Sequence, residues 1–120
     1  MEEDLFGVCP FATAQSLIQG KWAILILHHL SGGVLRFNEL QRRMPRMTHA
    51  TLATQLRQLE REGLVLRTEY PQIPPKVEYA LTEMGEKFGP VLESIRTWGM
   101  EYIAYLHTSP KTPENGQKQC

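Results

Sequence analysis

Arg57 and Arg61 stand four residues apart, a spacing that puts two guanidinium groups on one face of an α-helix. Stepping back along the wheel at about 100° per residue brings Thr54 and Ala50 onto the same stripe, while Leu52, Leu56 and Leu59 fall on the other side. Those leucines must face a core. A guanidinium forks onto guanine O6 and N7, and the methyl of Ala or Thr can meet a thymine methyl, so the stripe carries groups that read the major groove. Thr48 and His49 open the helix and lie nearest the groove floor or a phosphate when such a helix enters by its N-terminus. Two arginines on a helix are also a common solvated face. The surrounding elements decide between these readings.

Before this helix, Asn38 can cap a short helix to about Met44, with Phe37, Leu40 and Met44 on one face. Pro45 ends it. The break Pro45-Arg46-Met47 is three residues long, and Thr48 then caps a helix to Glu62 that Gly63 terminates. Helix, tight turn, helix is the helix-turn-helix pattern. Leu64 to Tyr70 and Lys76 to Leu81 are rich in strand formers and flank the loop Pro71-Gln72-Ile73-Pro74-Pro75; two such strands make a hairpin. A hairpin directly after a helix-turn-helix is a wing.

Upstream, Cys9-Pro10 opens a helix with Phe11, Ala14 and Ile18 in register and Gly20 as its stop. Lys21 to Leu30 follows, apolar on nearly all sides, which predicts a helix at the centre of a core. Leu35 to Phe37 is long enough only for a bridge of strand. Downstream, Thr82 can cap a helical region in which Met84, Phe88, Val91, Ile95, Trp98, Tyr102 and Tyr105 recur at steps of four and three. That is the seam of helix-on-helix packing. Gly89-Pro90 interrupts it, so a kink or two consecutive helices are expected. Leu92, Ile103 and Leu106 widen the apolar face beyond what a small core covers.

The chain has 120 residues, 42% of them hydrophobic and 22% charged, which suits one ordinary domain. Thirteen basic residues balance thirteen acidic ones, and the isoelectric point is about 6.9. That neutrality is a cancellation. Residues 36–67 hold seven arginines (Arg36, Arg42, Arg43, Arg46, Arg57, Arg61, Arg67) against Glu39, Glu60 and Glu62, whereas the stretch to Gly20 and residues 80–106 are net acidic. Lys76 adds a charge at the wing. Phosphate neutralisation supplies much of the affinity for DNA, and the basic residues gather where a DNA face needs them. The expected organisation is an acidic leader at 1–8, one domain at 9–106 and a polar, disordered tail at 107–120.

The longest apolar run, Trp22 to Leu27, falls far short of the roughly 20 residues a membrane span needs. The acidic opening is unlike a secretory signal, so the chain is expected in the cytoplasm. Its two cysteines, Cys9 and Cys120, are too few for a disulfide scaffold or a four-cysteine zinc site. His28 and His29 point about 100° apart on a helix and read as helix-terminus residues, not metal ligands. Glu60 and Glu62 lie on different faces, and no phosphate loop or nucleophile elbow occurs. No enzyme, metal or cofactor is expected. The stripe Phe88, Trp98, Tyr102, Tyr105 reads as core and helix seam, with an effector cavity between helices as the other reading.

Several runs resemble one family. They are Cys9-Pro10, Gly20-Lys21-Trp22, Arg36 to Leu40, Leu52 to Leu56, Leu59 to Val65, Pro74 to Thr82, Gly85 and Trp98. Together, over about residues 8–106, they resemble the HxlR-type, MarR-like winged-helix transcription regulators of bacteria. The stretch Pro-Pro-Lys-Val-Glu-Tyr-Ala-Leu-Thr is the most specific part. The resemblance implies an α+β winged helix-turn-helix, a three-helix core plus a β-hairpin wing with N- and C-terminal dimerisation helices. It implies a cytoplasmic homodimer on a pseudo-palindromic operator in double-stranded DNA. Phe11, Ile18, Val91, Leu92, Ile95, Trp98, Tyr102, Ile103 and Leu106 are then the candidate dimer contacts. In some members a cysteine at the position of Cys9 senses quinones, aldehydes or oxidants, so a small electrophile or other effector is a further candidate partner. A thiol at a helix N-terminus meets the positive end of the macrodipole, which favours an anion, whereas Glu2, Glu3 and Asp4 oppose it and cysteine also serves as a small buried hydrophobe.

The expected DNA contacts are Thr48, His49, Ala50, Thr54 and Arg57 toward bases or nearby phosphates, with Arg61 farther along. Arg36, Arg43 and Arg46 would hold phosphates, and Arg67 and Lys76 would set the wing. The competing reading is a winged helix used only for protein contacts.

Overall fold

The computed structural model describes residues 5–108. In chain order its elements are α1 (Pro10–Ile18), α2 (Ala23–Leu30), β1 (Leu35–Arg36), α3 (Phe37–Arg43), α4 (His49–Arg61), β2 (Val65–Tyr70), β3 (Lys76–Leu81), α5 (Glu83–Glu86) and α6 (Gly89–Thr108). They fall into two compact units, divided after Gly89. Residues 1–4 and 109–120, with half of the expected leader, most of the expected tail and Cys120, lie outside the described residues.

The first unit is a three-helix core closed by a small sheet. Its side chains with almost no exposure are Ile26 and Leu27 of α2, Leu40 of α3, Leu52, Leu56 and Leu59 of α4, and Val65 of β2. Each such side chain contributes about 1.5–3 kcal/mol relative to leaving it in water. The leucines of α4 recur at helical spacing, so one stripe seals the core and the opposite stripe is left to solvent.

The sheet is antiparallel, in the order β1-β3-β2. Its hairpin pairs Val65 with Leu81, Arg67 with Tyr79 and Tyr70 with Lys76; β1 adds Leu35 opposite Tyr79 and Arg36 opposite Glu78. Gly63 turns the chain out of α4 at φ +82, a conformation that glycine adopts without a Cβ penalty. Thr82 latches the end of the hairpin: its hydroxyl donates to the Gly63 carbonyl (2.6 Å) and accepts from the Gly85 N–H (3.0 Å). Gly85 is buried there, and a Cβ on it would run into the Leu64 carbonyl.

Three local expectations change. Asn38 is not the cap of α3; Arg36 is the N-cap residue, and its N–H donates to the Glu39 carboxylate (2.8 Å). Glu39 satisfies the free amide from inside the first turn, so the cap moves two residues upstream. Helix α2 starts at Ala23, with Lys21 and Trp22 in the turn before it. It also buries only Ala23, Ile26, Leu27 and Leu30, and Leu25 stays 43% exposed. Its all-round apolar surface therefore exceeds what the core covers.

In the second unit Pro90 occupies the first turn of α6, where its missing N–H costs nothing. Gly89-Pro90 thus separates two consecutive helices, and α6 runs on through Thr108. None of its residues is buried.

Candidate nucleic-acid interface

The turn between α3 and α4 spans four residues, Met44 to Met47, and buries both methionines. The Met47 N–H donates to the Met44 carbonyl (3.0 Å) and the Gln41 amide donates to the Met47 carbonyl (2.7 Å). Thr48 begins α4: its hydroxyl oxygen accepts from the Thr51 N–H (3.1 Å), the N-cap bond the sequence predicts. The start of the helix is thus fixed by packing below and by hydrogen bonds above.

Thr48, His49, Ala50, Thr54, Arg57 and Arg61 are all exposed. Arg57 donates to the Thr54 hydroxyl (3.4 Å), which lays its guanidinium along the stripe. Arg61 donates to the Gln58 side chain (2.8 Å), whose amide in turn donates to Glu62 (2.7 Å). His49 is held from behind: its ring lies 4.4 Å from that of Phe37, which is itself 6.4 Å from Tyr79.

The structure brings part of the predicted set together. His49 and Arg57 of α4 and Arg67 of β2 line one cavity of about 430 Å³ with Phe37, Ala53, Glu60 and Tyr79. Tyr79, opposite Arg67 in the sheet register, raises the Arg67 pKa through its hydroxyl, and Glu69 adds an ion pair at 3.4 Å. The guanidinium is thus tethered beside α4. Lys76 sits three residue pairs farther along the hairpin, opposite Tyr70. Its ammonium lies 4.6 Å from the Tyr70 ring centre and 3.5 Å from Glu78. The Tyr70 hydroxyl donates to Glu78 (3.0 Å), which holds its own proton on and raises its pKa.

The other arginines separate. Arg36 belongs to β1, whereas Arg43 and Arg46 lie at the helix-turn-helix break on a different cavity, shared with α2. Phe37, Ala53, Glu60 and Tyr79 are the members of the α4 site that sequence reasoning did not select. The strand alternation puts Tyr79 on the inner face, but the residue it would meet depends on the hairpin register.

Cys9 is half-buried at the N-cap of α1. Its N–H donates to the Leu5 carbonyl and its carbonyl accepts from Thr13, both at 2.9 Å. Phe11, next to Pro10, is 85% exposed, while Ile18 is half-buried. On α6, Trp98 stacks on Tyr102 at 5.4 Å and Tyr102 meets Tyr105 at 5.5 Å. Trp98 is 65% exposed, and Val91, Tyr102, Ile103 and Leu106 are exposed beside the half-buried Leu92 and Ile95. No helix among the described residues is long and apolar enough to cross a membrane.

Comparison with known proteins agrees with this geometry. The model of the HxlR-like helix-turn-helix family matches residues 17–107. The HTH-type transcriptional regulator YdeP of Bacillus subtilis (strain 168) is 46% identical over 99 residues, covering 82% of this chain and 77% of YdeP. Among solved structures, the redox regulator HypR in its reduced form is 39% identical with a TM-score of 0.79, covering 83% of this chain and 99% of that one. The reduced transcriptional regulator YodB of B. subtilis is 36% identical with a TM-score of 0.68, covering 76% and 90%. The family match runs through the helix-turn-helix, the wing and most of α6, and the chain belongs to the HxlR-like helix-turn-helix family, whose members are transcription regulators and not enzymes.

Proposed function

We propose that the chain works as a homodimer that binds a pseudo-palindromic operator in the cytoplasm, with α4 in the major groove of each half-site. The observation that carries this is the two-sided character of α4. Leu52, Leu56 and Leu59 are sealed in the core, while Ala50, Thr54, Arg57 and Arg61 form an exposed stripe beside the tethered Arg67. Thr48, His49, Ala50, Thr54 and Arg57 meet bases or adjacent phosphates, and Arg61 lies farther along the groove. Arg36, Arg43 and Arg46 hold phosphates; Arg67 and Lys76 place the wing on the neighbouring backbone. Two-fold symmetry puts the two α4 helices about 34 Å apart, one turn of DNA. The apolar faces of α1 and α6, with Phe11, Ile18, Val91, Leu92, Ile95, Trp98, Tyr102, Ile103 and Leu106, supply the dimer contacts.

Selection from random duplexes tests this reading. The expected result is an enriched inverted repeat bound in a salt-dependent way. Arg57→Ala should weaken it by about 1–3 kcal/mol and relax preference at one base position. No enriched sequence and no salt dependence would leave a protein-contact module instead.

A second reading concerns Cys9, the cysteine among the described residues. It stands at the start of a helix whose exposed face is proposed to dimerise, and HypR and a diamide-treated form of YodB are among the chain's structural relatives. Oxidation or electrophile addition at Cys9 would then alter the dimer and its operator affinity. Thiol titration at neutral pH should show Cys9 reacting faster than free cysteine, and diamide should lower operator affinity in the wild type but not in Cys9→Ser. Equal reactivity and an indifferent operator complex would make Cys9 a structural residue.

A further inference from the structure

His49 and Arg67 come from different elements, the first residue of α4 and the third of β2, yet one aromatic pair stands behind both. The Phe37 ring lies 4.4 Å from the His49 imidazole, inclined at 41°. The same ring is 6.4 Å from that of Tyr79, inclined at 58°. Both are contact separations for aromatic rings. Tyr79 in turn faces Arg67 across the sheet, and its hydroxyl meets the guanidinium.

The two rings are themselves held by the sheet. Tyr79 is 8% exposed on the central strand, paired with Leu35 on one side and Arg67 on the other. Phe37 is half-buried and follows β1 directly. The bond from the Arg36 N–H to Glu39 (2.8 Å) sets the helix start that carries it. His49, by contrast, is exposed, and among the described residues no hydrogen bond or ion pair reaches its imidazole. The ring contact with Phe37 is therefore what restrains it. A side chain restrained before binding loses less rotamer freedom when it meets DNA than one that is not.

We propose that Phe37 and Tyr79 are positioning residues for DNA recognition, Phe37 aiming His49 into the groove and Tyr79 holding Arg67 against the backbone. Neither ring touches DNA; each acts through the residue it backs. The inference rests on the reading under Proposed function, which puts His49 and Arg67 on the operator.

Double-mutant cycles on the selected operator test it, because a residue that acts through another has no effect once that other is gone. Phe37→Leu keeps an apolar side chain and removes the ring. It should weaken binding about two- to tenfold, the rotamer cost of one released side chain, and relax preference at the base position that His49→Ala relaxes. In a His49→Ala background the same change should cost almost nothing, and Phe37→Tyr, which restores a ring, should restore affinity. Tyr79→Phe keeps the ring and removes the hydroxyl. Its loss should be uniform across sequences, lower the salt slope in the direction that Arg67→Gln does, and vanish in an Arg67→Gln background. Full affinity in both single variants, or losses that persist without His49 and Arg67, overturns the proposal and leaves the rings as packing.

The free protein supplies a readout without DNA. A ring at 4.4 Å displaces the His49 C–H proton resonances, and His49→Ala identifies them among the four histidines. They should return toward random-coil positions in Phe37→Leu and stay displaced in Phe37→Tyr. Random-coil His49 signals in the unaltered chain overturn the positioning alone. Displaced signals with no selected operator overturn the operator reading, and the positioning role with it.

Discussion

The two units solve the burial of apolar side chains in opposite ways. In the first, the leucines of α4 find Ile26, Leu27, Leu40 and Val65 within the same chain and lose almost all exposure. In the second, α6 has apolar and aromatic residues over twenty positions and buries none of them. Among the described residues, nothing in its own unit covers that apolar face. The first unit closes a core and leaves one polar stripe exposed, whereas the open face of the second has a role only in the proposed dimer.

Breaking the first half of this comparison should have the largest effect. Leu56→Ala removes a core side chain with 1% exposure, and such truncations cost about 2–5 kcal/mol. Urea denaturation should show the unfolding free energy fall by that amount; a loss below 1 kcal/mol would mean that the core of the first unit is not closed in one chain.

Next comes the second half. Trp98→Ala deletes the most exposed aromatic of α6, one that stacks on Tyr102. Central aromatics in an interface typically cost about 2 kcal/mol or more of association when truncated. Sedimentation equilibrium should show the self-association constant weakened by that amount while the core of the first unit keeps its stability at high protein dilution. An unchanged association constant would show that α6 is left open for some other partner.

A smaller change separates how α4 is held from what it presents. Thr48→Ala deletes the oxygen that accepts the Thr51 N–H, and an N-cap deletion costs about 1 kcal/mol. The loss should appear in thermal stability. If operator affinity fell with it by a larger factor, Thr48 would be a contact as well as a cap.

The same contrast explains what could be read before the structure. The α4 stripe, its Thr48 cap and its Gly63 stop follow from helical period and cap chemistry, because both act within one turn of chain. So does the hairpin, whose strand formers and proline loop are contiguous. The cap of α3 was not legible: Arg36 becomes the cap only if the Glu39 side chain folds back to the N–H three residues behind it, and a cap at Asn38 is equally compatible with the local sequence. The partition of the arginines was hidden for a different reason. Arg36, Arg43, Arg46, Arg57 and Arg67 all count equally in a charge sum, but only tertiary packing sends Arg57 and Arg67 to one cavity and Arg43 and Arg46 to another. Tyr79 entered the site through the Arg67–Tyr79 register, which the alternation of β3 leaves open. The exposed side of α2 was not legible because an apolar helix with one side open and one wholly inside a core have the same composition.

The smallest expected effect is a pH slope, and it can say which unit carries it. Burial first, then the charges of His28 and Arg43, lower the His29 pKa from 6.5. The unfolded chain therefore takes up a proton at His29 as pH falls through about 6.5, whereas the folded chain resists it. Since stability rises with pH wherever the unfolded state binds more protons, His29 makes the fold less stable on the acidic side of that value and has no such effect above it. His29→Gln should flatten the decline in unfolding free energy between neutral and mildly acidic pH, leaving neutral stability nearly unchanged. The imidazole on α6 is His107, which is exposed. If the slope survived His29→Gln and followed self-association instead of unfolding, the acid-sensitive element would lie in the second unit, and the crowding of positive charge at the α2 cavity would be weaker than its geometry implies.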